Sequence, residues 1–253
     1  MTYPFRPPAD LPQQDERETR VQLAACYRLV AHFGMTDLVY THISARVPGT
    51  ADEFLINPYG MLFDEITASS LVRIDHEGNL LDDSPWPVNQ AGFVIHSAIH
   101  AARPDVACVL HTHTRAGVAV SCLDEGLVPM NQHSLLFHGR LAYHDYEGIA
   151  LDEEEKERLV TDLGEHRAMI LRNHGLLTAG RTIPEAFELM YNLEMSCKIQ
   201  LDVMATGRTL RVPPDEVRER AARQWVRDGK PQGLRSWPAL LRMLDRKNPG
   251  YRD

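Results

Sequence analysis

Two histidines one residue apart close an apolar stretch in the middle of the chain. Residues 106–110 have the composition of a buried strand, and His111 and His113 follow on either side of Thr112. Residues i and i+2 of a strand point to the same face, so both imidazoles can reach one ion. Imidazole is a common ligand of transition metals. The spacing therefore indicates a metal site.

A third histidine follows a second apolar stretch much further along the chain. Residues 168–171 are Ala-Met-Ile-Leu, and Arg172-Asn173-His174-Gly175 comes directly after them. Three imidazoles that leave a coordination position open describe a catalytic metal site, because structural zinc sites use four protein ligands. We therefore expect His111, His113 and His174 to share one divalent ion.

The composition limits the class of protein rather than its reaction. The chain has 253 residues, of which 43% are hydrophobic, so it can bury a substantial core. The formal net charge of −8 argues against general binding to nucleic acid or to an anionic membrane, since both require a basic face. The net charge does not exclude an anionic small-molecule substrate, which responds to local charge only, and we expect a partner of this kind.

The cysteine pattern indicates a reducing compartment. The four cysteines are scattered and form no Cys-x-x-Cys pair, so they are expected to be buried thiols rather than disulfides or zinc ligands. No apolar stretch of about 20 residues occurs, which is the length a membrane-spanning helix needs. We therefore predict a cytoplasmic protein.

Helices alternate with short strands around the histidines. Short strands joined by tight turns favour antiparallel pairing, and their alternation with helices predicts a three-layer α/β/α fold with a mostly antiparallel central sheet. The predicted helices are 15–33, 90–102, 116–123, 152–163, 183–205, 213–228 and 236–246. The predicted strands are 38–47, 54–57, 71–75, 106–113, 168–171 and 176–179.

One irregular stretch is rich in polar aromatic residues. Residues 127–150 contain His133, His138, His144 and two tyrosines. Such a density in a loop is typical of an active-site loop or of a subunit contact.

Several motifs resemble the class II aldolase/adducin family over residues 15–207. Residues 1–14 would then be an extended N-terminal arm, and residues 208–253 a helical C-terminal extension. The sequences of these motifs most resemble those of the adducin head domain. The motifs are Ile56-Asn57-Pro58-Tyr59-Gly60, Val88-Asn89-Gln90-Ala91-Gly92-Phe93, Arg103-Pro104-Asp105-Val106, Val109-Leu110-His111-Thr112-His113, Tyr143-His144-Asp145-Tyr146-Glu147-Gly148-Ile149 and Asn173-His174-Gly175-Leu176.

The resemblance implies an assembly and a cofactor. It implies a homotetramer with four-fold symmetry and a Zn²⁺ held by three histidines that match His111, His113 and His174. In the sugar-phosphate aldolases of the family, that metal polarises a ketose carbonyl as a Lewis acid. Fe²⁺ or Mn²⁺ remains an alternative here, because three nitrogen ligands do not determine the metal.

The departures from the family pattern concern the chemistry. The glutamate that acts as base in the aldolases corresponds to Gly92, and the two phosphate-binding serines before it correspond to Gln90 and Ala91. A hydroxyl residue of the same pocket becomes Tyr59, and the strand asparagine becomes His42. Without these small side chains, the pocket lacks the hydrogen-bond donors that would bind a phosphate. Aldol cleavage of a sugar phosphate is therefore disfavoured.

Two histidines are candidates to replace the missing base. His96 lies one turn beyond Gly92 on the same predicted helix and could supply a fourth nitrogen or a base; alternatively, it is hydrogen-bonded inside the packing of helix on sheet. His133 falls near the place where the aldolases bring a catalytic tyrosine across the subunit interface, so it is a candidate general acid.

Four further residues are candidates to contact a substrate. Asn57 and Gln90 offer neutral hydrogen-bonding groups, His42 lies at the position of the strand asparagine, and the turn at Gly60 is expected to expose backbone amides.

Two functions remain open from the sequence. The first is a divergent metal-dependent lyase that cleaves or decarboxylates a small oxo- or hydroxy-acid, with Fe(II)-dependent oxygen chemistry as a variant on the same triad. Decarboxylation tolerates the loss of the glutamate, because it produces a carbanion without removing a proton. The second is a non-catalytic, adducin-like interaction module in which the old site has become structural.

Overall fold

Seven strands form one mixed sheet in the computed structural model, which describes residues 15–148, 153–226 and 228–253, without the side chains of 90–93 and 153–155. The sheet order is β3-β2-β1-β4-β7-β6-β5, and only β5 and β6 are parallel. The mostly antiparallel sheet is thus confirmed. The strands are β1 (His42–Arg46), β2 (Phe54–Ile56), β3 (Val72–Ile74), β4 (Cys108–Thr112), β5 (Leu141–His144), β6 (Ala168–Leu171) and β7 (Gly175–Gly180).

Eight helices accompany the sheet in the described part of the chain, and several begin where a capping residue predicts. Asp15 accepts a hydrogen bond from the Glu18 amide at 2.8 Å, and Thr182 accepts one from the Glu185 amide at 3.1 Å. The helices are α1 (Glu16–His32), α2 (Gln90–Ala102), α3 (Arg115–Ser121), α4 (Gln132–Leu135), α5 (Glu153–Leu163), α6 (Ile183–Ala205), α7 (Asp215–Trp225) and α8 (Trp237–Lys247).

The strand predicted at 38–47 is shorter than expected. Leu38 and Thr41 have φ angles of 50° and 66°, and Asp37 forms a single antiparallel bridge with Tyr40. Residues 37–41 are therefore a turn that leads into β1, because left-handed backbone cannot continue a strand. The irregular stretch at 127–150 also contains α4 and β5, which the sequence did not predict.

Alternate residues of the central strands enter two different apolar clusters. Leu110, Ile170 and Leu176 belong to a cluster that includes buried residues of α1 and α6. Their neighbours Val109 and Leu177 belong to a second cluster, which includes residues of α2 and α5. This alternation is the two-residue period of a strand, and it means that the central strands are buried on both sides.

The C-terminal segment packs on α1 and on the turn that precedes β3. The amides of Ala68 and Ser69 donate to the carbonyls of Tyr251 and Asp253 at 3.0 and 2.8 Å, and Arg28 donates to the Asn248 side chain at 2.8 Å. The predicted arm at residues 1–14 lies outside the described residues, and the division at 14 and 207 stays a prediction. None of the helices in the described ranges has the length and apolarity that crossing a bilayer requires.

Candidate metal centre

The pairing of β4 with β7 brings the two histidine motifs together. His111 lies opposite Leu177 and Thr112 opposite Leu176, so the end of β4 meets the start of β7. His113 leaves β4, and His174 immediately precedes β7 after Asn173, whose φ is 55°. Two segments separated by about 60 residues thus place their imidazoles at one sheet edge.

The Nε2 atoms of the three histidines converge on one point. His111 Nε2 lies 2.8 Å from His113 Nε2, which lies 2.9 Å from His174 Nε2. All three ligand atoms lie within 4.8 Å of one another. The structure therefore brings together the three residues that the sequence proposed as metal ligands.

In His111 and His113, a hydrogen bond at Nδ1 determines which ring nitrogen carries the proton. His111 Nδ1 lies 2.9 Å from the Leu176 carbonyl, and His113 Nδ1 lies 3.0 Å from Asp37 Oδ2. Both acceptors require an Nδ1–H, which leaves both Nε2 atoms as lone pairs. Two lone pairs at 2.8 Å repel unless a cation lies between them. The donor set therefore fits a divalent metal.

The electrostatic environment keeps the imidazoles of His111 and His174 neutral. Burial, followed by His174, His113 and His42, lowers the pKa of His111 well below its usual value. Burial and His113 lower the pKa of His174 to about 4. Neutral imidazole is the form that ligates a metal, so a proton is the less favourable cation for this site at neutral pH.

Asp37 is a functional candidate that sequence reasoning missed. It lies 76 positions before His113, with nothing in the sequence to connect them. The turn at residues 37–41 directs its carboxylate to His113 Nδ1. A carboxylate in this position raises the basicity of the ligating nitrogen and orients the ring.

Replacing Asp37 by Asn is expected to weaken metal affinity by about tenfold to 100-fold while the fold is retained, because the amide keeps an acceptor but loses the charge. Competitive chelator titration measures this. Asp52→Asn is the matched control, since Asp52 pairs with His76 at 2.8 Å on the surface. Equal metal affinities in the two variants would show that Asp37 does not tune the site.

His42 and His96 lie behind the triad. His42 pairs with His111 across β1 and β4, with ring centroids 5.6 Å apart, and the His96 ring lies 4.2 Å from that of His42. His96 Nδ1 is 2.7 Å from Ser44 Oγ, which agrees with the alternative that His96 is hydrogen-bonded inside the packing of helix on sheet. His96 Nε2 has no hydrogen-bond partner among the described residues. A role as base or ligand stays a prediction.

The turn after β2 is more constrained than the sequence indicated. The Tyr59 amide donates to the Pro87 carbonyl at 2.9 Å, so it is not free to bind a substrate, contrary to expectation. Gly60 has a φ of 110° and lies under the Trp86 ring. Asn57 Oδ1 accepts from the Tyr27 hydroxyl at 2.7 Å. Substrate contacts by Asn57 and Gly60 stay predictions.

The remaining candidates are less closely connected with the triad. His133 lies on α4, where its Nδ1 is 2.9 Å from Asn192 Oδ1 on α6. Within the described part of one chain, His133 makes no hydrogen bond or ring contact with His111, His113 or His174. The side chain of Gln90 lies outside the described residues.

Ser44 and His100, whose Oγ and Nε2 atoms lie 2.8 Å apart, could have been found from the sequence. Ser44 is two positions after His42 on a strand, and His100 is four positions after His96 on a helix, so each shares a face with a histidine already proposed.

Comparison with known proteins agrees with this geometry. Residues 21–201 match the model of the "Class II Aldolase and Adducin N-terminal domain". The crystal structure of an aldolase II superfamily protein from Pseudomonas syringae superposes with a TM-score of 0.91 at 53% identity, covering 96% of this chain and 98% of that chain. L-fuculose 1-phosphate aldolase from Glaciozyma antarctica PI12 gives a TM-score of 0.84 at 33% identity, over 98% and 97% of the two chains.

Adducins are related to this chain over part of their own length. Alpha-adducin of Rattus norvegicus is 41% identical over 252 residues, which cover 94% of this chain and 34% of the adducin. Family model, fold and histidine triad are thus consistent with one another, and the chain belongs to the class II aldolase/adducin family.

Proposed function

We propose that this protein is a divergent metal-dependent lyase that decarboxylates or cleaves a small oxo- or hydroxy-acid. The observation that carries the proposal is the fixed tautomer of the triad: Leu176 and Asp37 hold the Nδ1 protons of His111 and His113, so lone pairs converge at Nε2. A site that had become merely structural would not need two facing lone pairs, which repel without an ion.

A bound divalent ion, Zn²⁺ in our proposal and Fe²⁺ or Mn²⁺ in its variants, would supply Lewis-acid chemistry to an oxygen of the substrate. The residues of this chain do the remaining work. His111, His113 and His174 hold the ion, and Asp37 orients His113. The buried side of the site, formed by His42 and His96, excludes water.

The position of the missing glutamate favours decarboxylation over aldol cleavage. Gly92 has neither a proton acceptor nor a ligand atom, and loss of CO₂ leaves the bonding electron pair on carbon without prior removal of a proton. The carbanion must then be protonated. We propose His133 of a neighbouring subunit as the acid. Its Nδ1–H donates to Asn192 Oδ1, so the proton transferred would be a second one, carried on Nε2 of the imidazolium form, and the ring would be left neutral.

The proposal includes an assembly and a location. The family implies a homotetramer, and the formal net charge of −8, which does not favour nucleic acid or anionic membranes, suits a cytoplasmic enzyme. A three-layer α/β/α arrangement is supported by the two apolar clusters that alternate along β4, β6 and β7. The second candidate function, a non-catalytic adducin-like module, is favoured by the 41% identity with alpha-adducin and by Gly92.

Turnover of the metal-loaded protein distinguishes these functions. Protein reconstituted separately with Zn²⁺, Mn²⁺ and Fe²⁺ is incubated with a panel of small oxo- and hydroxy-acids, and CO₂ and carbonyl products are measured. We expect product with at least one acid, and none with apoprotein. L-fuculose 1-phosphate serves as the contrasting substrate, and no cleavage is expected. Robust cleavage of that phosphate would refute the divergence, whereas metal binding without any turnover would favour the interaction module.

A further inference from the structure

A cavity of about 740 Å³ lies between α4, α6 and the C-terminal extension, apart from the metal centre. None of its described lining residues belongs to the histidine triad or makes one of the triad's hydrogen bonds. Small-molecule sites in proteins have volumes of roughly 300–1,000 Å³. The cavity therefore has the size of a ligand site, in a place to which the lyase proposal assigns no role.

Most of the cavity wall is formed by residues beyond the family domain. The family model ends at residue 201, whereas Pro213, three residues of α7 and most of the segment 228–236 line the cavity. The family domain contributes the other side, through α4 and Glu188 of α6. The C-terminal extension therefore creates this cavity by packing on the family domain, and the cavity is separate from the site that the family uses for chemistry.

Hydrogen bonds attach the wall of the cavity to the helices of the family domain. Trp225 Nε1 at the end of α7 donates to the Gln132 carbonyl on α4 at 3.2 Å. Ser236 Oγ donates to Glu188 Oε2 on α6 at 2.7 Å. Because the wall is attached at both places, a ligand that enters the cavity orders little additional chain, and this lowers the entropic cost of binding.

The lining of the cavity changes from apolar to cationic toward the solvent. Leu135 is 7% exposed, and Leu234 and the Trp225 ring are half-buried. Lys230 and Arg235 line the same cavity and are exposed. A ligand can therefore pack an apolar body against the inner residues while a polar group stays at the solvent side, which is how most small-molecule sites combine burial with orientation.

The charged groups of the lining favour an anionic ligand. Glu188 accepts from the Ser236 hydroxyl, and Asp228 Oδ1 accepts from the Lys230 amide at 3.2 Å. Within the described ranges, neither the Lys230 ammonium nor the Arg235 guanidinium forms a hydrogen bond or an ion pair. A carboxylate can accept from both cations. The formal charges of these two acids and two bases cancel, so the cavity suits a monoanion better than a polyphosphate.

We propose that this cavity binds a small aromatic monocarboxylate, with its ring against Trp225 and Leu135 and its carboxylate at Lys230 and Arg235. An aromatic ring fits the apolar part because it can pair with the Trp225 indole, which adds to the free energy of burial. The carboxylate supplies the acceptor that the two cations lack. This ligand site is separate from the metal centre, and it does not depend on the lyase proposal.

The indole N–H signal of Trp225 reports binding at the cavity itself. In ¹H–¹⁵N NMR spectra of the purified protein, 2-naphthoate is titrated, and 2-naphthamide serves as the uncharged probe of nearly the same shape. We expect 2-naphthoate to shift the Trp225 signal, which Trp225→Phe identifies, while the signal of Trp86, which lies over Gly60, stays in place. A Trp225 signal that does not respond to 2-naphthoate overturns the proposal.

Two exposed substitutions test the carboxylate contact. From the same titrations, we expect the Kd of 2-naphthoate to be about tenfold lower than that of 2-naphthamide in the wild-type. This preference should disappear in the double variant Lys230→Gln/Arg235→Gln. Arg242→Gln is the matched control, because Arg242 is an exposed arginine of α8 that does not line the cavity, and it should keep the preference. Equal affinities for the two probes in the wild-type, or a preference that survives in the double variant, overturn the assignment. Neither result affects the lyase proposal.

Discussion

Replacing His111 by alanine is expected to reduce the metal content of the purified protein from about one ion per chain to near zero. The ligand is lost, and so is the buried imidazole whose Nδ1 is held by the Leu176 carbonyl. Two remaining imidazoles do not form a tight site for a divalent ion in competition with water. Elemental analysis of protein dialysed against a weak chelator measures the result directly.

The matched control for His111→Ala is His76→Ala, because His76 pairs with Asp52 and lies away from the triad. A chelator should lower the melting temperature of the wild-type and of His76→Ala, since a ligand that binds only the folded state stabilises it. The melting temperature of His111→Ala should not respond. An empty wild-type protein, or full metal content in His111→Ala, would remove the basis of the lyase proposal.

Replacing Gly175 by alanine is expected to destabilise the protein by about 1–3 kcal/mol and to weaken metal binding by about 100-fold. A methyl group on Gly175 would overlap the Thr112 carbonyl and lie 3.3 Å from His113 Cδ2 and 3.4 Å from His111 Cε1. This carbonyl belongs to Thr112, which lies between His111 and His113, so relief of the clash is expected to displace both imidazoles. Denaturant unfolding and chelator competition measure the two effects.

Gly180→Ala separates crowding in general from damage to the metal centre. A methyl group there would overlap the Ala186 amide and the Thr182 carbonyl at the start of α6, away from the triad. Its loss of stability should be similar, about 1–3 kcal/mol, because the contacts are again with backbone. Metal affinity should be retained. Equal loss of metal affinity in both variants would mean that affinity follows global stability rather than the geometry at Gly175.

The sequence by itself identified the three candidate metal ligands and most of the helices and strands around them. His111 and His113 share a face because a strand has a two-residue period. His174 was found because it lies in the turn directly after the apolar strand β6. Capping residues such as Asp15 and Thr182 marked helix starts correctly, since they satisfy amides of their own first turn. These features are local, and local spacing is what a sequence displays.

Tertiary structure alone decided what surrounds the ligands. Asp37 reaches His113 because Leu38 and Thr41 turn the chain into the left-handed region before β1, a conformation that their residue types do not favour. Ser44 meets His96 and His100 because α2 packs over β1 in one particular position. Spacing shows which face a side chain occupies, but partners more than 50 positions apart depend on how helices and strands dock, and that is determined by packing of the whole core.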